Sequence, residues 1–416
     1  MDQDTSIAGH EPVELETFPR WLTLLLATTC GLGAANIYYS QPLVGVISAS
    51  LDMPTALAGF IVSLTQVGYG IGLFFVVPLA DLLENRRLVV VLLLAAIAAL
   101  LGASLSTAIA PFLVFALLIG VASVAVQVIV PYAAHLAPPH QQGRVVGDVM
   151  GGLMLGIMLS RPTASLITSA FSWHAVFLFS AILLSVLVVV LRLVLPTRRP
   201  EARLSYGRLI ASMGGLILKT PALQRRSLYQ ACMFGAFTLF WTTVPLLLAD
   251  RFGLTQVGIA LFALAGVAGV IAAPLAGRLA DRGLARQATA VMTLIGGLAV
   301  VMAYLGADGT TTGLVILVAA AVLLDFGMTG TMVMGQRVIF GLQPEVRARL
   351  NGIYMTAFFL SGAVSAALGA WTYAVGGWGL SMTVAGSLTL VAFAGLLILD
   401  GLGEAPKPAR ARASEA

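Results

Sequence analysis

Gly277-Arg278-Leu279-Ala280-Asp281-Arg282-Gly283 is a short charged stretch between two long apolar runs, and a related stretch ends Leu79-Ala80-Asp81 about 200 residues earlier. Its charges can lie only in water or among headgroups, so the flanking runs read as membrane spans joined by a tight loop. Extended outward in both directions, the same reading divides the chain into apolar runs at about 20–46, 57–79, 88–106, 111–132, 146–168, 173–194, 228–249, 257–277, 288–305, 313–335, 351–373 and 379–400. Each run is close to the roughly 20 residues that cross a hydrocarbon core of about 30 Å. The fold class expected is therefore an all-α integral membrane protein with twelve transmembrane helices.

Composition agrees. The chain is 59% hydrophobic and only 10% charged, with a mean hydropathy of +0.97. Such a chain cannot cover its own surface with polar groups, so lipid must be its solvent. Among the 23 Lys and Arg, only Arg251 falls in an odd-to-even connection and only Arg161 lies deep within a run. The others sit in the tails, in even-to-odd connections or at the adjoining run ends. Loop Lys and Arg are retained on the cytoplasmic side, so both termini are expected inside, with the bilayer as the constant partner. The net charge of +5 follows from those loops and does not indicate nucleic acid, because no basic cluster is interleaved with exposed aromatics. The first run is too long for a signal h-region and follows an acidic tail.

The matches between the two parts of the chain keep their order. Gly143-Arg144-Val145-Val146-Gly147 answers Ala348-Arg349-Leu350-Asn351-Gly352, Trp173 answers Trp378, and Pro42 and Pro245 occupy similar places in the first and seventh runs. This is the pattern of a duplicated six-helix unit. The organisation expected is a cytoplasmic tail (1–19), a six-helix half (20–194), a basic cytoplasmic linker (195–227), a second pseudo-symmetric six-helix half (228–400) and a second tail (401–416). Within the linker, Tyr206 to Leu218 reads either as an amphipathic helix along the headgroups or as a solvated connection.

The loop 277–283 resembles the signature loop of the major facilitator superfamily, with a degenerate copy around Asp81. Asn36-Ile37-Tyr38-Tyr39-Ser40-Gln41-Pro42-Leu43, together with Leu323-Leu324-Asp325-Phe326-Gly327, Gln336-Arg337 and Arg349-Leu350-Asn351, resembles a bacterial efflux-permease branch with a Tyr-Tyr-x-Gln-Pro-Leu motif. The resemblance implies two six-helix halves rocking around a midplane cavity, a secondary transporter in which a monomer suffices, and proton-coupled export of a small amphipathic organic solute. It also implies that Asp81, Arg86, Asp281 and Arg282 belong to cytoplasmic latches, with Asp81 near the start of the eleventh helix and Asp281 near that of the fifth. The chain departs from the pattern at Val77 and Leu82. It also has Ala116 four residues before Gly120, where proton-coupled drug exporters commonly carry Arg. Proton symport or import, an uncoupled facilitator of a sugar, amino acid or organic acid, and a transporter-like sensor remain open alternatives.

An ionisable side chain at mid-bilayer costs about 2.5–3.5 kcal/mol on insertion scales and turns towards a cavity or a partner. Asp325 lies about 18 Å from either surface, and Arg161, followed by Pro162, about 12 Å from the outer one, at 1.5 Å per residue. The two are expected to meet, either as a pair that protonation of Asp325 releases or as a static lock between the fifth and tenth helices. Arg161 is equally able to hold an anionic group bidentately. Uncharged cavity candidates are Asn36, Tyr38, Tyr39 and Gln41 in the first run, Gln66 in the second, Gln127 in the fourth, Trp241 in the seventh and Tyr354 in the eleventh. Each reads alternatively as helix–helix glue. Pro42 is expected to interrupt its helix where these polar residues concentrate. Glycines 68, 70, 72, 147, 151, 152 and 156 are expected to form small-residue faces along which the halves slide. Cys30 and Cys232 read as packing residues. No metal-ligand spacing, cofactor motif or Walker-type loop is present.

Overall fold

The computed structural model describes residues 18–200, 205–343 and 346–400, without the side chains of 267–271, 280 and 281. Described residues are overwhelmingly helical, as backbone in lipid must be when no water satisfies its N–H and C=O groups. In chain order the α-helices are α1 (Arg20–Ala35), α2 (Val44–Ser50), α3 (Phe60–Ile71), α4 (Asn85–Ser104), α5 (Ile109–Ser123), α6 (Ala125–Leu136), α7 (Gln142–Ala170), α8 (Trp173–Val194), α9 (Tyr206–Lys219), α10 (Pro221–Phe252), α11 (Gln256–Ala263), α12 (Gly269–Asp281), α13 (Ala285–Leu305), α14 (Thr311–Phe340) and α15 (Arg347–Gly395).

Among the described residues, nine helical segments are long and apolar enough to cross a membrane. The twelve expected runs differ from these nine at three places, each with a local cause. The first run is broken. α1 ends at Ala35, a turn and a short 3₁₀ segment (Gln41–Leu43) follow, and α2 resumes at Val44. Pro42 has no N–H to donate and its ring clashes with the preceding turn, so the interruption falls where the sequence places it. The eighth run is broken too, into α11, a 3₁₀ segment (Leu264–Ala268) and α12. The eleventh and twelfth runs are two helices that meet without a loop across a kink at Gly377, at φ 66° and ψ −164°, and so share the range α15. That region of backbone space is open essentially to glycine alone.

The linker is more ordered than the sequence suggests. α10 begins at Pro221, a residue well suited to the first helical position, rather than near 228. α9 is a real amphipathic helix: Leu209 and Met213 are buried, Met213 against Ile339, Leu350, Ile353 and Tyr354. The Tyr206 hydroxyl donates to the Phe75 carbonyl (2.7 Å), and Arg349 donates to Ser212 Oγ (2.8 Å). α9 thereby touches segments that precede and follow it in the chain.

The outer surface is apolar, with Leu94, Val186, Val189, Leu298 and Val301 all exposed, while Gln41, Gln66, Gln230, Thr238 and Thr242 are fully buried. This inversion of the water-soluble pattern is what a lipid solvent requires. α10 is the most enclosed span and packs chiefly on α15, while α1 packs on α7 and α3 on α5. At the α1–α7 crossing the backbones touch directly: a Cβ on Gly152 would lie 2.6 Å from the Ala27 carbonyl, and one on Gly156 would collide with the backbone of Gly31. These glycines therefore fix neighbouring helices within one part of the chain, and Gly68 and Gly72 do the same between the α3 region and the α5 region. Of the glycines expected to slide, Gly70, against Leu360, faces across from α3 to α15. Gly147 and Gly151 face open space. The expected sliding surfaces are thus mostly fixed seams, because close backbone contact locks helices instead of lubricating them. Cys30 and Cys232 are free and buried.

Candidate functional site

The turn that Pro42 forces between α1 and α2 aims Tyr38 and Gln41 inward, and there they meet Arg161 of α7. Arg161 Nε donates to Gln41 Oε1 at 2.8 Å, which fixes the plane of the guanidinium. That group lies over the Trp241 ring at 4.2 Å, with Phe237 at 5.2 Å and Tyr38 at 5.6 Å. A desolvated cation on such a ring is stabilised by about 2 kcal/mol, partial compensation for a charge that is only 3% exposed. From α14, Asp325 (5% exposed) accepts the Trp241 indole N–H at 2.8 Å. Trp241 thus binds the anion with its edge and the cation with its face, as an indole's charge distribution allows.

Arg161 and Asp325 lie near one another, but they do not touch. Among the described residues three ion pairs occur, and this is not one of them. Both groups face Gly266, in the break between α11 and α12. A Cβ there would lie 2.8 Å from Asp325 Oδ2, 3.3 Å from Arg161 Nη1 and 3.4 Å from Trp241. The gap between carboxylate and guanidinium therefore exceeds the 4.0 Å of an ion pair and is no wider than the first two of those distances placed end to end. Two buried atoms of the residues gathered here have no hydrogen-bond partner: Arg161 Nη2 and Gln41 Nε2. An adjoining cavity of about 10 Å³, room for about one water, is lined by Pro42, Arg161, Trp241, Pro245 and Phe262 among others. The two prolines that answer each other in the sequence thus line the same void.

The other expected cavity residues divide. Asn36 accepts from Ser180 Oγ at 2.6 Å, and Tyr39 reaches the same serine, so both join the first run to α8. Gln127 donates to the Tyr69 hydroxyl at 3.0 Å, joining α6 to α3. Gln66 is buried with neither amide atom satisfied, beside Gly362 and Phe234. It sits at the edge of a ring cluster in which Phe234 stacks on Phe358 at 3.6 Å and Tyr69 meets Phe359 at 4.4 Å. Tyr354 lies elsewhere, in the cluster under α9, and its hydroxyl reaches only the Met332 carbonyl at 3.5 Å.

Of the expected latch residues, Asp81 lies within electrostatic reach of Arg349, in the first turn of α15, and of Arg198 and His135. Arg86 does something different from a latch. It donates to the carbonyls of Leu195 (2.9 Å) and Arg192 (2.5 Å), where a cation complements the C-terminal end of α8. Arg282 is exposed, and the Asp281 side chain lies outside the described residues. An ion-pair cluster not expected from the sequence joins the start of α10 to the segment after α15: Asp400 binds Arg225 at 3.0 Å and Arg226 at 3.3 Å. Phe237 and Gly266 were also missed. Phe237 had a signal, since it stands one turn before Trp241 on the same helix face, whereas a single glycine in an apolar run had none.

An all-helical, polar-cored bundle with a sealed charged centre is the architecture of a membrane carrier. The chain matches the family model described as Major Facilitator Superfamily over residues 24–336 and 227–416, and it belongs to that superfamily. It is 34% identical over 358 residues to the uncharacterized transporter YgaY of Escherichia coli O157:H7, covering 86% of this chain and 90% of that one. To the probable transporter SCO4007 of Streptomyces coelicolor it is 33% identical over 388 residues, covering 93% and 87%. The crystal structure of a mutant form of the nucleoside transporter NupG superposes with a TM-score of 0.73 at 14% identity, over 90% of this chain and 99% of that one, which shows a shared fold. The protein is a multi-pass membrane transporter of the major facilitator type.

Proposed function

We propose that this transporter exports a small amphipathic organic solute in exchange for protons, by alternating access, from a bacterial cytoplasmic membrane with both termini inside. In this reading twelve spans form two six-helix halves joined by residues 195–227, and the solute binds between them. The observation that carries it is the buried Arg161–Gln41 and Asp325–Trp241 assembly, built from spans on either side of the linker around a gap with unsatisfied polar atoms. A carboxylate held near a cation keeps its charge, and one left alone in an apolar interior takes up a proton instead. Rocking that separates α7 from α14 would therefore change the proton affinity of Asp325. Asp81 beside Arg349 supplies a cytoplasmic latch that opening must break.

Ala116, buried on α5 where proton-coupled exporters carry arginine, favours a second reading as an uncoupled facilitator, with Asp325 a fixed partner of the indole. Solute-induced proton flux in everted membrane vesicles, across a panel of dyes, sugars, amino acids and organic acids, separates the two. Proton release from the lumen with at least one solute supports exchange. A solute that moves without any proton signal establishes the facilitator.

A further inference from the structure

Resting on the transport reading, the geometry of the Arg161–Asp325 gap goes further and names a chemical class. We propose that the solute is a zwitterion, an amphipathic α-amino acid. Its carboxylate would sit on Arg161 and Gln41, its ammonium on Asp325, and its apolar side chain against Phe237, Tyr38 and Trp241.

The donor side is pre-set. Gln41 Oε1 is occupied by Arg161 Nε at 2.8 Å, so the two side chains are locked in register while Gln41 Nε2 and Arg161 Nη2 stay without partners. Both residues are almost completely buried, and buried donors of this kind are costly to leave unpaired. Two unpaired donors on residues already bonded to each other, one of them cationic, are what a carboxylate accepts. The acceptor side is Asp325. Its Oδ1 holds the Trp241 N–H, and its Oδ2 faces the gap beside Gly266.

Charge balance decides between ligand classes. With Asp325 ionised the site is neutral overall, yet its two charges stand apart by more than an ion-pair distance. A monocation would neutralise Asp325 and leave the buried guanidinium uncompensated. A monoanion would do the reverse. Leaving either charge alone in a dry interior is strongly unfavourable. A zwitterion satisfies both, and in an α-amino acid the two charges are separated by a single carbon, close enough for one ligand to reach both once the site opens beyond its one-water void. The walls that remain are aromatic. Phe237 and Trp241 stand one helical turn apart, and the Tyr38 ring lies 5.6 Å from the same guanidinium.

This seat also explains exchange. A proton and an ammonium compete for the same Asp325 carboxylate. The ionisable groups facing it are Arg161 from α7 and Tyr38 from the first span; Trp241 contributes only a fixed N–H, and Gly266 presents no side chain. Arrival of the ammonium releases the proton, and the reverse follows on the other side.

The test uses the purified full chain in proteoliposomes and three probes sharing one ring: L-phenylalanine (zwitterion), its methyl ester (cation) and N-acetyl-phenylalanine (anion). Tracer counterflow is the readout, because it needs no ion gradient and reports binding and exchange even when coupling is absent. L-phenylalanine should exchange at least tenfold faster than either derivative, and Arg161→Gln should erase that preference. Faster exchange of the ester or of the acetyl derivative would overturn the zwitterion and leave export standing. Exchange of none of the three would overturn the amino-acid assignment. L-phenylalanine exchange that never moves a proton would uphold the seat and sink the proton coupling proposed above.

Discussion

Gly266→Ala adds one methyl group between the two buried charges. The new Cβ would lie 2.8 Å from Asp325 Oδ2, 3.3 Å from Arg161 Nη1 and 3.4 Å from Trp241 Cζ2. The first approach is closer than carbon and oxygen tolerate, so something must move. The carboxylate cannot simply swing aside, because Oδ1 is held by the indole N–H at 2.8 Å. Nor can the ring retreat freely, since it carries the guanidinium on its face. Overpacking of this kind costs about 1–3 kcal/mol. At tenfold per 1.4 kcal/mol, that lowers the population of the closed arrangement by about 5- to 150-fold. The strain is local, at a break between helices, so folding should survive. Initial rates of tracer exchange in proteoliposomes should fall by that factor, with the thermal unfolding midpoint in detergent nearly unchanged. Gly266→Val should be worse than Gly266→Ala. A wild-type rate in both variants would refute the gap as a functional space.

Arg161→Lys keeps the charge but loses the planar contact with Trp241 and the Nε bond to Gln41; tracer exchange should drop at least tenfold at normal protein yield, and unchanged exchange would mean that a point charge suffices. Gly156→Leu should destabilise the fold by about 1–3 kcal/mol or more, read as a lower thermal midpoint, because α1 and α7 touch through backbone there. At the start of α14, the Thr310 N–H and hydroxyl hold the exposed Asp308 carboxyl below its ordinary value. A depressed folded value means that its support is complete above the unfolded pKa and fades as pH falls through the folded one. Hydrogen-exchange protection of the first turn of α14 should therefore weaken in acid, and Asp308→Ala should remove that dependence.

Much of the fold was legible because lipid imposes a simple rule: charge stays out of apolar runs unless a partner or cavity receives it. That rule singled out Arg161 and Asp325, and the structure gathers Gln41, Tyr38 and Trp241 around them. The same rule could not separate cavity from glue. Asn36, Gln127 and Tyr39 are polar residues in spans just as Gln41 is, yet each bonds a residue of a neighbouring helix, Ser180 or Tyr69, away from the charged centre. Depth in a span does not reveal which face a side chain takes, and Tyr354 shows this by lying under α9 instead. Arg225 and Arg226 read as linker charge, because the helix start at Pro221 that brings them to Asp400 left no hydropathy signal. Gly266 was invisible for a related reason. What matters there is an absent side chain between two charged ones, and only the arrangement of α7, α10 and α14 makes that absence meaningful.

The proposed mechanism turns on coupling at Asp325. Its most direct test is solute-induced proton flux in everted vesicles from cells producing wild-type protein or Asp325→Asn, with tracer exchange of the same solute in parallel. Proton release is expected in wild type, and none in the variant, whose amide keeps an acceptor for Trp241 but cannot exchange a proton. Undiminished proton flux in Asp325→Asn would contradict it.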